Sequence, residues 1–296
     1  QGAGRPVWII LNKTFGNKAY CTLNEGLGKV LRFGAFEDEV IRHLKWMEEK
    51  LAPVLKQAMK EAPDAAFLVH SGDHVNTGLF RDLWDKYLHS GRDIFPGLPF
   101  VPTLGNHDSQ DGLPPTLYTQ LFMLPQDRLC GLPPERNYSF SYGDARFFMI
   151  DATGDIEKIA CWLEGELKQS KDTWKIAVTH FPPYATDHSY PEIRKSWSSL
   201  FDRYHVDLVL SGHVHQYFRS YPIRGEQVVS DPKEGTIYVS SVTVEPRRPE
   251  PASEKYNVVY ANKGGLFQVI RIDNRALHFL SKEVDGTIVD QFTLKK

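Results

Sequence analysis

The stretch Val206-Asp207-Leu208-Val209-Leu210-Ser211-Gly212-His213-Val214-His215 decides the fold that we predict for this chain. Its apolar first half is typical of a buried strand, and the glycine that follows is typical of a turn. The two histidines come just after the strand, and open α/β sheets bind their ligands at that end of their strands. The stretch therefore predicts a strand that delivers two imidazoles to a site, and metal binding is the first hypothesis.

At three further places in the chain, polar residues stand at the end of an apolar run. They are Ser71-Gly72-Asp73-His74-Val75-Asn76, Gly105-Asn106-His107-Asp108 and Ala177-Val178-Thr179-His180. A lone His-x-His is a weak signal, because most histidines are surface or core residues, whereas four coincident strand ends are a specific one. Mixed carboxylate, amide and imidazole donors suit first-row metals. We therefore predict one or two ions of Fe, Mn or Zn at these strand ends.

The composition fits one large α/β domain, and we predict a single domain over residues 1–296, of which 41% are hydrophobic. The formal charge of -2 offers no basic surface, which argues against nucleic acid as a partner. No run of about twenty apolar residues occurs, so no transmembrane segment is predicted. Cys21, Cys130 and Cys161 lack the spacing of a zinc ribbon, and they leave open one disulfide with one free thiol.

The order of elements predicts strands that alternate with covering helices, and then a mostly antiparallel C-terminal part. A helical pattern covers residues 36–62, in which Pro53 should kink or divide the helix because proline lacks a backbone donor. Further helices are predicted at 79–89, 155–170 and 191–204. Strands are predicted at 7–11, 65–70, 100–104, 137–142, 146–151, 175–179, 206–210, 236–242, 266–272, 276–284 and 287–294.

The residue types at the strand ends predict hydrolysis of a phosphate ester. A metal ion in such a site polarises a phosphoryl oxygen and makes hydroxide available near neutral pH. His107 is predicted to stabilise the phosphoryl charge or to protonate the leaving oxygen, and Asp108 to orient the His107 ring. The alternatives are a turn residue for His107 and a helix N-cap or turn residue for Asp73. The predicted metal ligands are Asp73, Asn106, His180, His213 and His215.

These motifs, in this order, resemble those of the calcineurin-like metallophosphoesterases. The stretches Asn137-Tyr138-Ser139-Phe140-Ser141-Tyr142-Gly143 and His180-Phe181-Pro182-Pro183-Tyr184 are most similar to the purple acid phosphatase branch. The resemblance implies a four-layer α/β/β/α sandwich, a two-metal site and a small phosphorylated substrate. It also implies that Asp73 bridges the metals, that Asn106, His180 and His213 hold the second metal, and that His215 belongs to the first. Together with the start at Gln1, it favours a secreted or periplasmic protein.

The sequence departs from the family pattern at the first metal. The family carries an Asp, often as Asp-x-His, after the first strand, where this chain has Asn12 and Thr14. The Tyr that purple acid phosphatases carry three residues after the bridging Asp is Asn76. We therefore expect one well-held metal and a first site that is weak, empty or rebuilt. Residues considered for that first site are Asn12, Asn76, His74, Glu25 and Cys21.

Two functions remain open at this point. The first is a working hydrolase of phosphomonoesters or phosphodiesters. The second is a non-catalytic descendant that binds a phosphorylated ligand or a protein partner in the same cleft. Tyr184 and His188 are predicted to line the substrate entrance, with ordinary surface positions as the alternative.

Overall fold

The computed structural model describes residues 7–11, 47–109, 113–126, 129–186, 190–243 and 252–296 of the chain. The described α-helices are α1 (Ala52–Glu61), α2 (Arg81–Ser90), α3 (Asn106–Ser109), α4 (Thr116–Leu121), α5 (Ile156–Gln169) and α6 (Pro191–Tyr204). The described strands are β1 (Val7–Leu11), β2 (Ala65–His70), β3 (Phe100–Pro102), β4 (Tyr138–Tyr142), β5 (Ala145–Ile150), β6 (Trp174–Thr179), β7 (Leu208–Ser211), β8 (Tyr217–Ser220), β9 (Ile223–Arg224), β10 (Gln227–Val228), β11 (Ile237–Ser240), β12 (Asn257–Ala261), β13 (Leu266–Ile272), β14 (Ala276–Glu283) and β15 (Ile288–Lys295).

The strands form two large sheets, each with a parallel section. The first sheet has the order β15-β14-β13-β1-β2-β3, in which β1, β2 and β3 are parallel and the others pair antiparallel. The second has the order β12-β8-β11-β7-β6-β5-β4, in which β5, β6, β7 and β11 are parallel. The parallel sections place the carboxyl ends of β2 and β3, and those of β6 and β7, at common sheet edges.

Side chains of the strands alternate between two buried faces, as the two-residue period of a strand requires. In β2, Phe67 packs in the core between the sheets, whereas Leu68 packs with α1 and α2. In β5, Met149 packs between the sheets and Phe148 packs with α5 and α6. The layers are therefore helix, sheet, sheet and helix, and the predicted α/β/β/α sandwich is confirmed.

Local sequence signals account for several element boundaries. Pro53 lies in the first turn of α1, directly after a π-helical turn at Met47–Leu51, so the predicted interruption of the helix is confirmed. Asp155 caps α5, because its carboxylate accepts hydrogen bonds from the backbone N–H groups of Glu157 and Lys158. The predicted β4–β5 hairpin and the antiparallel C-terminal strands are also confirmed.

One disulfide joins Cys130 to Cys161 in α5, with a Cα–Cα distance of 6.1 Å. This is one of the arrangements that the cysteine count left open; Cys21 lies outside the described residues. None of the helices in the described ranges is both long enough and apolar enough to cross a lipid bilayer. The assignment of residues 1–296 to a single domain stays a prediction.

Candidate metal centre

Four strand ends bring their polar residues together between the two sheets. Asp73 follows β2, Asn106 begins α3 just after β3, His180 follows β6 directly, and His213 follows β7. One carboxylate oxygen of Asp73 and one ring nitrogen from each of His180 and His213 lie within 4.8 Å of one another. The convergence that the sequence predicted for these four side chains is therefore present in the fold.

The contacts among the four side chains are short. Oδ2 of Asp73 lies 3.2 Å from Nε2 of His180. Oδ1 of Asn106 lies 3.1 Å from Nε2 of His180 and 3.1 Å from Nδ1 of His213. The two ring nitrogens are 3.3 Å apart. The four atoms form one compact cluster of oxygen and nitrogen.

This cluster is suited to a cation because all four atoms can present lone pairs to one another. Nδ1–H of His180 donates to the carbonyl oxygen of Ser71 at 2.8 Å, so in the neutral ring Nε2 carries a lone pair. Converging lone pairs repel unless a proton or a metal ion lies between them. Two imidazole nitrogens with a carboxylate and an amide oxygen are a donor set for first-row divalent ions. The residues present therefore fit the metal ion that the fold implies.

The pKa values reflect the same crowding. Burial opposes the charge on Asp73, but His180, His107 and His213 outweigh it and hold the pKa of this carboxyl well below its usual range. Burial likewise opposes the charged ring of His180, yet the Asp73 carboxylate raises the pKa of His180 above its ordinary value. Burial, and then the neighbouring His180, lower the pKa of His213 to about 3. In the metal-free site, these shifts favour a proton on His180 over a proton on His213.

Glycines allow the two loops of the first sheet to approach this closely. Gly72 has φ +95°, and a Cβ there would lie 2.7 Å from Nδ1 of His180. A Cβ on Gly105 would lie 2.2 Å from Oδ1 of Asp73. Asp73 itself has φ 56° and His213 has φ 64°, in the left-handed region that non-glycine residues rarely adopt. The glycines and the strained backbone therefore serve the placement of the cluster.

Asp108 has a different role from the one that the sequence predicted. It does not contact the His107 ring; its buried carboxylate accepts hydrogen bonds from the backbone N–H groups of Asp73, His74 and Gly105, at 2.8 to 2.9 Å. It also accepts one from Nδ1–H of His74, at 2.9 Å. The prediction that Asp108 orients His107 is wrong. Asp108 instead binds the loop after β2 to the loop after β3.

The His107 ring is oriented by a backbone carbonyl. Its Nδ1–H donates to the carbonyl oxygen of Asn76 at 2.8 Å, and its Nε2 lies 4.0 Å from Oδ2 of Asp73. The backbone N–H of His107 donates to Oδ1 of Asp73 at 2.9 Å. Nε2 of His107 is therefore held beside the cluster, where it can reach an oxygen of a bound ligand.

An aromatic pair forms one wall of the cluster. The rings of Phe181 and Tyr190 stack at 4.4 Å, and the Phe181 ring meets the His213 ring edge to face at 4.7 Å. The hydroxyl of Tyr190 lies 2.6 Å from Nε2 of His213. Next to this wall lies a cleft that is lined by Asn106 of the cluster and by Phe181 of the wall. Its volume of about 960 Å³ is typical of small-molecule sites.

Residues 43–217 match the family model of the calcineurin-like phosphoesterases. The chain belongs to this family. Probable inactive purple acid phosphatase 24 of Arabidopsis thaliana is 25% identical to this chain over 284 residues, in an alignment that covers 81% of this chain and 45% of the plant protein. The purple acid phosphatase PPD1 from yellow lupin seeds has a similar structure, with a TM-score of 0.71 at 20% identity, covering 82% of this chain and 49% of that one. This chain thus spans less than half the length of either relative.

The N-terminal part of this chain is similar to a second family. Residues 2–74 match the model of oxamate carbamoyltransferase subunit AllG. The AllG protein of Escherichia coli (strain K12) is 49% identical over 57 residues, covering 19% of this chain and 14% of that protein. The AllG-like stretch includes β1 and the positions Asn12 and Thr14, where the first metal motif was expected. The missing motif thus coincides with sequence that is similar to another family.

Two other predictions about the site are wrong. His74 is fully buried, donates to Asp108 and stacks on His70, so its ring belongs to the core and not to a first metal site. Tyr184 is 1% exposed and packs against the Tyr238 ring, which leaves no surface for a substrate. The predicted residues that lie outside the described part of the chain are Asn12, Thr14, Cys21, Glu25 and His188.

Two of the remaining predicted residues lie at the margin of the site. His215 is buried but does not join the ligand cluster of Asp73, His180 and His213 in the described ranges. Asn76 contributes its carbonyl oxygen to His107. Tyr190 is a site residue that sequence reasoning missed. Its place directly before Pro191, which begins α6, is a local signal, but only the fold shows that it reaches His213.

Proposed function

We propose that this chain is a metal-dependent hydrolase of phosphate esters, with one divalent ion of Fe, Mn or Zn held by Asp73, Asn106, His180 and His213. The observation that carries the proposal is the convergence of four lone-pair atoms beside Nε2 of His107. A binding protein has no need of a positioned imidazole at that place, whereas hydrolysis of an ester needs a group that can protonate the leaving oxygen.

When bound, such an ion polarises a phosphoryl oxygen and lowers the pKa of a water molecule. The residues of this chain orient the reacting groups. The Ser71 carbonyl fixes the ring of His180, and the Asn76 carbonyl fixes that of His107. Turning the His107 ring over would break its bond to Asn76, so Nε2 stays directed at the site. When protonated, that nitrogen would donate a hydrogen bond to a phosphoryl oxygen or give its proton to the leaving oxygen.

The cleft beside Asn106 and Phe181 would receive the leaving group. Its described lining contains the acids Glu135 and Asp155 and a single cation, Arg136. Nε of Arg136 is 2.6 Å from the buried carboxylate of Asp151, which neutralises it. A polyanionic leaving group would find no unpaired cation among these residues. The charges therefore favour a small substrate with an uncharged leaving group over a nucleoside polyphosphate.

A second candidate is a non-catalytic protein that binds a phosphorylated ligand or a protein partner in the same cleft. The AllG-like sequence at the place of the first metal motif supports it, because two of the expected ligands are absent there. The name of the Arabidopsis relative, a probable inactive phosphatase, also supports it. A secreted or periplasmic location is part of the proposal in either case, and the Cys130–Cys161 disulfide is consistent with an oxidising compartment.

The test combines metal content with turnover. Protein purified without chelator is analysed for metal per chain, and hydrolysis of p-nitrophenyl phosphate and bis-p-nitrophenyl phosphate is then measured with added Mn²⁺, Zn²⁺ or Fe²⁺. The hydrolase proposal expects one tightly held ion and a turnover that falls about 10²- to 10⁴-fold in His107→Gln, with the metal content unchanged. Metal binding without turnover under any addition would favour the non-catalytic candidate.

A further inference from the structure

The side chain of Tyr190 forms a hydrogen bond with a ring nitrogen of His213. Among the described residues, no other side chain outside the predicted ligand set does so. Tyr190 lies at the N-cap position of α6, and its backbone carbonyl accepts a hydrogen bond from the N–H of Arg194 at 3.0 Å. Its ring stacks on Phe181, which directly follows His180. The hydroxyl is therefore carried by a helix start and supported by an aromatic platform, both anchored close to the cluster.

The two nitrogens of His213 face different partners. Nδ1 faces Asn106 and His180 inside the cluster, and Nε2 faces the Tyr190 hydroxyl at 2.6 Å. A neutral imidazole carries one N–H, so one nitrogen donates and the other accepts. If the proton were on Nδ1, it would occupy the place where a metal ion needs a lone pair. Only the tautomer with the proton on Nε2 directs a lone pair of His213 at the cluster.

A tyrosine hydroxyl can serve either tautomer, because it both donates and accepts. With a cation at Nδ1, the Nε2–H group needs an acceptor, and metal-bound histidines commonly find one in a carboxylate or a carbonyl oxygen. At this position the described structure places the Tyr190 hydroxyl. The left-handed backbone of His213, φ 64°, adds to the need for a partner that fixes its ring.

We propose that Tyr190 is a positioning residue, which accepts Nε2–H of His213 and thereby fixes the ring and the tautomer that directs Nδ1 at the metal. The inference rests on the metal site of the proposed function. Phe181 acts with Tyr190 by stacking on its ring, with an angle of 20° between the two ring planes. The start of α6 is in this way connected to the affinity of the centre for its ion.

The test is Tyr190→Phe, which removes the hydroxyl and keeps the ring on Phe181. Tyr204→Phe is the matched control, because Tyr204 lies at the other end of α6 and its hydroxyl donates to Glu164 at 3.1 Å. Metal-free proteins are titrated with Co²⁺, and binding is followed by calorimetry and by the visible absorption of the ion. The expected result is a Kd for Co²⁺ that rises about 10- to 100-fold in Tyr190→Phe and stays unchanged in Tyr204→Phe.

A spectroscopic signature separates positioning from a loss of packing. In the Zn²⁺-loaded wild-type protein, the ¹⁵N shifts of His213, assigned by their loss in His213→Gln, should show the proton on Nε2 and its slow exchange with water. In Tyr190→Phe this protection should disappear. Equal Co²⁺ affinities for wild type and Tyr190→Phe would overturn the proposal. A proton on Nδ1 of His213 in the Zn²⁺-loaded wild type would also overturn it, and that measurement does not require the variant to fold.

The same titration distinguishes this inference from the proposed function. Wild-type protein that binds Co²⁺ but hydrolyses no ester would end the hydrolase proposal, and the comparison of the two tyrosine variants would still decide the role of Tyr190. Wild-type protein that binds no Co²⁺ would overturn both.

Discussion

Replacing Asp108 with asparagine should greatly lower the protein's free energy of unfolding. Oδ2 of Asp108 accepts hydrogen bonds from the backbone N–H groups of Asp73 and Gly105 and from the His74 ring, and Oδ1 accepts those of His74 and Val75. An amide must direct its NH₂ group at one of these two sets. Either orientation leaves at least two buried donors without an acceptor.

The magnitude follows from that count. A hydrogen bond to a charged group contributes about 1.5–3 kcal/mol, and a buried donor left unsatisfied costs a similar amount. Two lost bonds therefore lower the free energy of unfolding by about 3–6 kcal/mol, against a total of roughly 5–15 kcal/mol for a folded domain. Asp85→Asn is the control, because Asp85 is exposed and, among the described residues, its ion pair is with Arg81 on the same helix, a contact of about 0.3–0.5 kcal/mol.

Urea unfolding followed by tryptophan fluorescence measures both variants, since Trp84 and Trp162 are buried and report on the helices of the two outer layers. The Asp108→Asn variant should unfold at a much lower urea concentration than Asp85→Asn. If Asp108 acted only by orienting His107, the variant would lose turnover and keep its stability. A free energy of unfolding within about 1 kcal/mol of the control would refute the role derived from these hydrogen bonds.

Three further outcomes are expected. Gly105→Ala should abolish metal binding measured by Co²⁺ titration, because its Cβ would lie 2.2 Å from Oδ1 of Asp73, and an unchanged affinity would contradict the close packing of the loops. The metal-free protein should lose stability as the pH falls from 6.5 towards 3. His213 binds a proton below its ordinary pKa of 6.5 in the unfolded chain, but only below about 3 in the folded protein. His213→Gln should therefore flatten the dependence of the urea midpoint on pH in this window. Reduction of the Cys130–Cys161 disulfide, which closes a loop of 31 residues, should lower the free energy of unfolding by about 3–4 kcal/mol, and an unchanged urea midpoint in dithiothreitol would show that the loop is constrained in other ways.

The sequence predicted the layered fold and the convergence of the site for a physical reason. A strand buried on both faces has a continuous run of apolar residues in the sequence, and the carboxyl ends of parallel strands meet at one edge of the sheet. The residues that follow β2, β3, β6 and β7 can therefore be assigned to one site without any knowledge of distances. Asp73, Asn106, His180 and His213 were identified in this way.

The same reasoning failed at Asp108, His74 and Tyr184, whose side chains point away from the site. Asp108 is adjacent to His107 in sequence, yet its partners His74 and Asp73 lie 34 and 35 residues away. His74 and Tyr184 have the composition of site residues, but packing directs both into the core. His107 and Asp108 are consecutive residues of α3, and consecutive side chains of a helix do not face each other.

The amino-acid sequence by itself determined which strands are buried, where they end and which donor atoms those ends carry. Only the tertiary structure decided which of these atoms face one another and what holds them there. The contact between Tyr190 and His213 spans 23 residues and depends on the packing of α6 against the second sheet. Periodicity records burial, which is a property of each residue, whereas the hydrogen bonds that complete the site belong to pairs that only the folded chain brings together.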